Sequence, residues 1–362
     1  MKNTFGNSLC VTIFGESHGD SIGAVIDGLT PGVNIDTEYI ADRLSHRRPH
    51  GKISTARHES DEFRIVSGVY NGKSTGTPIC IIIPNTDTKS RDYSLMQSIA
   101  RPGHADYTAE CKYHGFQDIR GGGHFSGRIS AALVAAGAII ESALAKKGII
   151  IGTHIKECAK IPDRDFENYE NDINYLKNSD FPTLSKSAGE RITAEIEKAR
   201  SDLDSVGGIL QTLILGVPAG IGEPWFDSLE SVLSHALFSV PGIKGVEFGD
   251  GFAMAEMYGS EANDTFFVSD GRILTRTNHN GGINGGISNG MPILFNCAVK
   301  PTPSIAKLQK TIDFKKCENT EIEICGRHDP AIIHRAAVVV DSVAAIAAAD
   351  LLLQRFGTDY LA

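Results

Sequence analysis

The densest chemistry in the chain lies between Arg101 and Arg128, where Arg101, His104, Arg120, His124 and Arg128 surround the run Gly121-Gly122-Gly123. Glycine lets a main chain approach a ligand closely, and the first N–H groups of a helix have no internal partner while its dipole adds positive character. A helix is expected directly after this turn, because Ile129, Leu133, Ala136, Ile140 and Leu144 recur at helical spacing. Its start, near Ser126 to Arg128, therefore suits a phosphate. A glycine-rich turn that only packs is the plainer reading. The five basic side chains so near in sequence move the balance toward an anionic ligand.

A second basic island, Arg43, His46, Arg47, Arg48, His50, Lys52, Arg57 and His58, stands in a chain whose net charge is −9. The overall charge argues against non-specific nucleic-acid binding, whereas the island suits a small polyanion or, more blandly, a solvated surface. Gly15-Glu16-Ser17-His18-Gly19 fits the G-x-S-x-G nucleophile elbow, but that motif needs a helix after its serine. The next segment, Ile22 to Ile26, reads as a strand, so Ser17 is a poor candidate nucleophile. Neither glycine cluster fits G-x-G-x-x-G, and no histidine spacing marks a metal site, so none is expected. Seven cysteines without a C-x-x-C pair read as reduced, mostly buried thiols. With no leader pattern and no apolar run of membrane length read, a cytoplasmic protein is expected.

Elements must position these residues. Leu9 to Phe14, Ile22 to Ile26, Val66 to Val69, Ile79 to Ile83 and Ile293 to Val299 read as strands. Asp36 or Thr37 can cap a helix that delivers the basic island at its C-terminal end, where cations suit the dipole. Ala188 to Leu203, Leu229 to Phe238 and the apolar stretch from Arg335 to Phe356 read as helices, and Asp163 to Leu184 as irregular surface. Asp20-Ser21-Ile22-Gly23 followed by Gly28-Leu29-Thr30-Pro31-Gly32 is echoed by Asp204-Ser205-Val206-Gly207 followed by Gly216-Val217-Pro218-Ala219-Gly220, a hint of two related halves. Strands in runs with strongly apolar helices indicate an α+β fold.

Several motifs, in order, resemble the chorismate synthase family: Phe14 to Gly19, Arg47-Arg48-Pro49, Thr75 to Pro78, Arg101 to Asp106, Arg120 to Gly123, Gly216 to Gly220, Lys244 to Glu247, Gly285 to Ser288, Lys300-Pro301-Thr302 and Gly326 to Pro330. The resemblance covers nearly all of the chain and fades only over about 156–203. It implies one domain over 1–362, with that stretch a variable surface segment. The implied fold is a β-α-β sandwich, helices packed between two antiparallel sheets and internally duplicated, assembled as a homotetramer. The implied reaction is the 1,4-anti elimination of phosphate from 5-enolpyruvylshikimate 3-phosphate. It needs reduced FMN, regenerated by NADPH or another external reductant and so by an external flavin reductase.

The resemblance also assigns roles. Arg48, Arg101, Arg128 and Arg327 would clamp the substrate with Arg47 beside them, and Ser126 would add a hydroxyl. Arginine suits this task because its planar fork pairs with phosphate and carboxylate while staying charged. His18 would donate toward the leaving phosphate and His104 would sit by the reduced flavin, both with a reference pKa of about 6.5, near working pH. Asp329 would join the proton relay, its plainer reading being an Asx turn before Pro330. His124, Phe125, Ser126, Gly285, Lys300, Pro301, Thr302, Pro303, Ser304 and Arg327 would line the flavin. The chain departs from the family where His124-Phe125 follow the glycines, where Ile53 takes the place of an arginine, at Pro241-Gly242 and at Cys10.

Overall fold

The computed structural model describes residues 2–49, 51, 53–54, 60–86, 98–324 and 329–362. Its scaffold is two five-stranded antiparallel sheets with helices between them. Strands β1 (Cys10–Gly15), β2 (Ser21–Asp27), β3 (Arg64–Ser67) and β4 (Ile79–Pro84) make the first sheet in the order β1-β2-β4-β3, with Thr4–Phe5 on the edge. Strands β5 (Ile150–Cys158), β6 (Gly208–Leu215), β7 (Ile243–Phe248) and β8 (Ile293–Val299) make the second in the order β5-β6-β8-β7, with Ile161–Pro162 on the edge. The two orders are the same pattern. Helix α1 (Thr37–Arg47) joins the second and third strands of the first half, and α3 (Leu229–Leu237) does so in the second. Helices α2 (Ser130–Lys146) and α4 (Ile333–Phe356) follow the last strand of each half.

The sequence echo maps onto this duplication. Its two copies run into β2 and β6, the central strands of their sheets. Gly28 and Gly216, at φ of 82° and 81°, end these two strands where any Cβ would strike a main-chain carbonyl, of Ser8 and of Gly148. Only glycine fits such a backbone cheaply.

Helix α2 packs on the first sheet and α4 on the second, and the two pack on each other. They cross so closely that a Cβ on Gly137 would stand 2.2 Å from Ser342 Cβ. Helix α4 is buried at every position from 336 to 353, which is why it is apolar on all sides. By length and composition both long helices could cross a membrane, contrary to the sequence reading, yet the apolar window of α4 is wholly inside the protein. Arg43 of α1 ties the layer together through Asp341 (2.6 Å) and Glu141 (3.2 Å), both buried. Burial pushes the Glu141 carboxyl up, against the pull of Arg43. Near the chain's start, Asp350 of α4 accepts the N–H groups of Asn7, Ser8 and Leu9 at 2.7–3.1 Å.

One stretch departs from expectation. Tyr169–Lys177, expected to be irregular, is a helix capped by Asn168. Ile173 is fully buried and packs against Gly152 of β5. Nine residues with two buried apolar anchors leave too short a periodic signal to read. Helix Lys186–Ser201 then starts slightly before the expected Ala188.

Candidate active site

A cavity of 720 Å³ opens where the two halves meet. Arg47 closes α1 on one side, and Phe238 to Ile243 leave α3 on another. The turn before α2 and the start of α4 supply the facing walls, through His124 to Arg128 and through Asp329, Ile332 and Arg335. The starts of both long helices thus meet one space, and each adds positive character there. Residues 300–304, leaving β8, complete the wall with Gly103 and His104.

The triple glycine is dictated by backbone geometry. Gly121, Gly122 and Gly123 have φ of 61°, 85° and 54°, a left-handed run that side chains resist. The turn folds over the Gly15–Gly19 loop. Ser17 donates its hydroxyl to the carbonyls of Arg120 and Gly121 at 3.1 Å, and its N–H to Gly123 O at 3.1 Å. With the hydroxyl proton so directed, Ser17 Oγ is placed to accept from His18 Nδ1, 3.1 Å away. Strand β2 follows this loop, so the elbow of a serine hydrolase is absent from it. His18 itself is buried behind Gly121, whose wall position it backs at contact distance. His124 donates Nδ1–H to Gly15 O at 2.7 Å, pinning the turn to β1 and fixing its own tautomer.

His104 reaches the cavity with Asp106 behind it. Its Nδ1 lies 2.9 Å from Asp106 Oδ1, and the same carboxylate takes Arg101 Nε at 2.8 Å and Nη2 at 2.7 Å. Burial alone would raise the Asp106 carboxyl, but these hydrogen bonds from Arg101 and His104 hold it well below the usual range. Arg101 orients Asp106 through its guanidinium and stands off the wall of this cavity.

The other expected residues divide. Arg47, Ser126, Arg128, His124, Phe125, Asp329 and Lys300, Pro301, Thr302, Pro303 and Ser304 all come to the cavity. Arg48 is set beside Asp61 at 3.8 Å, off the wall. Arg327 lies outside the described residues. Gly285 sits in the exposed turn of the hairpin pairing Ile283–Asn284 with Ile287–Ser288, off the wall of this cavity. The glycines of that stretch serve close main-chain crossings instead, as where a Cβ on Gly281 would fall 2.5 Å from Gly249 N. Of the departures, Ile53 is a buried core residue, and Pro241-Gly242 lie on the cavity wall.

Sequence reasoning misses Arg335. Its Nη1 binds Asp329 Oδ2 at 2.5 Å, and its Nε donates to Arg47 O at 2.7 Å, so it joins α4 to the end of α1 across the cavity. A cation in the first turn of an otherwise apolar helix opposes the dipole, and that is the available signal. Asp329 is accordingly held by an arginine rather than left as a turn former alone.

The family model for chorismate synthase matches residues 9–353. The chain belongs to the chorismate synthase family. It is 43% identical over 355 residues to chorismate synthase of Thermococcus gammatolerans, covering 97% of each chain. To chorismate synthase of Lachnoclostridium phytofermentans it is 46% identical over 353 residues, covering 97% of this chain and 95% of that one. A crystal structure of chorismate synthase superposes with a TM-score of 0.78 at 28% identity, over 98% of this chain and 94% of the other. The family's sandwich of helices between antiparallel sheets is the fold of this chain.

Proposed function

We propose that this chain, working as one catalytic domain in the cytoplasm, removes phosphate from 5-enolpyruvylshikimate 3-phosphate by 1,4-anti elimination to give chorismate. The observation that carries this reading is the meeting of Arg47, Arg128, Lys300 and Arg335 with His104 and Asp329 around one cavity, in a chain of this family. The substrate is a phosphate with two carboxylates, and guanidinium and ammonium groups together with the starts of two helices answer that charge. His18, backed by Ser17, serves as proton donor toward the leaving phosphate, and Asp329, held in place by Arg335, takes part in the relay that carries the ring proton away.

Reduced FMN fits the remaining wall. Thr302 Oγ1 is buried there without a hydrogen-bond partner among the described residues, and Ile332, Ala336, Val339 and Val240 offer a flat apolar side. Lys300 to Ser304, His124, Phe125 and Ser126 hold the cofactor in this reading, with Arg327 added by resemblance. When bound, reduced FMN supplies electron density to the breaking C–O bond, in a reaction whose substrate and products share one oxidation level. The protein's part is to hold the anions, exclude water and place His18, His104 and Asp329. An external reductase using NADPH or another reductant keeps the flavin reduced, and a homotetramer is the expected assembly.

Anaerobic turnover tests this. One pre-reduced FMN per site should support many phosphate releases with no oxidised flavin accumulating, and oxidised FMN should support none. Stoichiometric flavin oxidation per phosphate, or full activity without flavin, overturns the proposal.

A further inference from the structure

Behind the arginine wall lies a carboxylate that no sequence motif singles out. Asp61 has a fully buried side chain, and it touches three guanidiniums. Arg47 Nη2 stands 3.1 Å from Asp61 Oδ2 and 3.4 Å from Oδ1, Arg128 Nη1 binds Oδ1, and Arg48 Nε lies 3.8 Å from Oδ2. Arg47 and Arg128 belong to the cavity wall whereas Asp61 does not. The carboxylate therefore stands on the far side of the guanidiniums from any ligand.

Two like charges pressed together at a wall repel one another unless something fixes them. Here the fixing comes from one side. Arg128 also donates Nε–H to Asn85 Oδ1 at 3.1 Å and Nη2–H to Pro84 O at 3.2 Å, while Arg47 Nη1 approaches Gly127 O at 3.5 Å. Asp61 is a carboxylate that both arginines share, and it couples the end of α1 to the turn before α2. Its backbone is left-handed, with φ of 51°, a conformation that persists in folded proteins where surrounding contacts over-determine it.

We propose that Asp61 is a positioning residue for the anion clamp, a counter-ion that holds Arg47 and Arg128 at a fixed separation so that both forks face the anionic groups of the substrate. This rests on the reading that the cavity takes a polyanion. Asp61 remains in place when the anion binds. It acts on binding in the ground state and the transition state alike, which raises KM on its loss while leaving kcat little changed.

The test uses Asp61→Asn, since asparagine keeps the size and tolerates the left-handed backbone. The amide turns a donor toward one guanidinium and should separate the pair. For the intact flavin-loaded enzyme the expected result is a KM for 5-enolpyruvylshikimate 3-phosphate raised about tenfold or more with kcat nearly retained, the signature of lost uniform binding. The Kd of inorganic phosphate, measured by calorimetry without turnover, should rise in step. Tighter phosphate binding in Asp61→Asn would show a competing charge rather than a positioning one and overturns the proposal, as does an unchanged KM. If Asp61→Asn fails to fold, the wild-type protein crystallised with inorganic phosphate decides: retained Asp61 contacts to Arg47 and Arg128 support the proposal, and displacement of Asp61 by phosphate refutes it. Wild-type protein that binds phosphate but forms no chorismate would count against the proposed reaction, while the phosphate arm still reads Asp61.

Discussion

Gly121→Ala is the sharpest test of where His18 acts. A Cβ built on Gly121 falls 2.0 Å from His18 Cε1, 2.1 Å from its Nδ1 and 2.7 Å from Ser17 Oγ. Carbon atoms settle at about 3.5 Å, so the imidazole must retreat by roughly 1.5 Å or the turn must lift by as much. The left-handed backbone adds a cost of about 1–2 kcal/mol, which a protein of this size survives. Misplacing a reacting group by about 1 Å can cost on the order of 10²-fold in rate, and that is the expected fall in kcat. Gly122→Ala is the control. Its backbone is equally left-handed, with φ of 85°, but its Cβ would meet nothing nearer than 3.7 Å, at His104 Cε1. Anaerobic chorismate formation with pre-reduced FMN, alongside thermal unfolding, separates the two effects. Equal losses in both variants would mean that backbone strain, rather than His18, sets the rate. Unchanged turnover in Gly121→Ala would remove His18 from the mechanism.

Three further outcomes are expected. His104→Ala should lower turnover by about 10²- to 10⁴-fold, and Asp106→Asn should lower it less, because the imidazole remains but loses its orienting carboxylate; wild-type kinetics in both would dismiss this pair. Burial pushes the Cys158 and Cys297 thiols up to about 12, so iodoacetamide near neutral pH should label exposed Cys111 and Cys317 and spare those two until the protein is unfolded, as read by mass spectrometry. Asp106, Asp163 and Asp264 are each held below the ordinary aspartate value by hydrogen bonds that outweigh burial. Each therefore stabilises the fold above about pH 3.9 and gives this up as pH falls through its lowered value, so chemical denaturation should show stability declining below about pH 4, with a shallower decline in Asp163→Asn.

Much of the scaffold was legible because its signals are local. Asp36 caps α1 as its side chain type allows, accepting from Glu38 N at 3.1 Å and Tyr39 N at 3.0 Å. The glycine-rich echo marked the duplication, since each copy ends its central strand with a glycine against a carbonyl. Strands β5, β6 and β7 were not read as strands; β5 carries His154 and Thr153 buried within it and so lacks a clean alternation. The cavity residues next to glycine and proline turns were visible for the same local reason. Asp61 and Arg335 were not, because their roles depend on partners far along the chain: Asp61 meets Arg128 from 67 residues away and Arg335 meets Arg47 from 288. Glycines such as Gly281, which serve a main-chain crossing, look the same in sequence as glycines that cradle a ligand.

The tie between Asp350 and the loop at Asn7 to Leu9 bears on how the chain is made. The first sheet is synthesised early, but the carboxylate that fastens its leading loop arrives 341 residues after Leu9. Until α4 emerges, the inner face of the second sheet and the side of α2 that α4 covers stay open. Such long-range closure is slow and leaves apolar surface open while translation proceeds. A premature stop ahead of Asp350 is therefore expected to give an aggregating chain rather than a weakened enzyme, as read by the soluble fraction on expression.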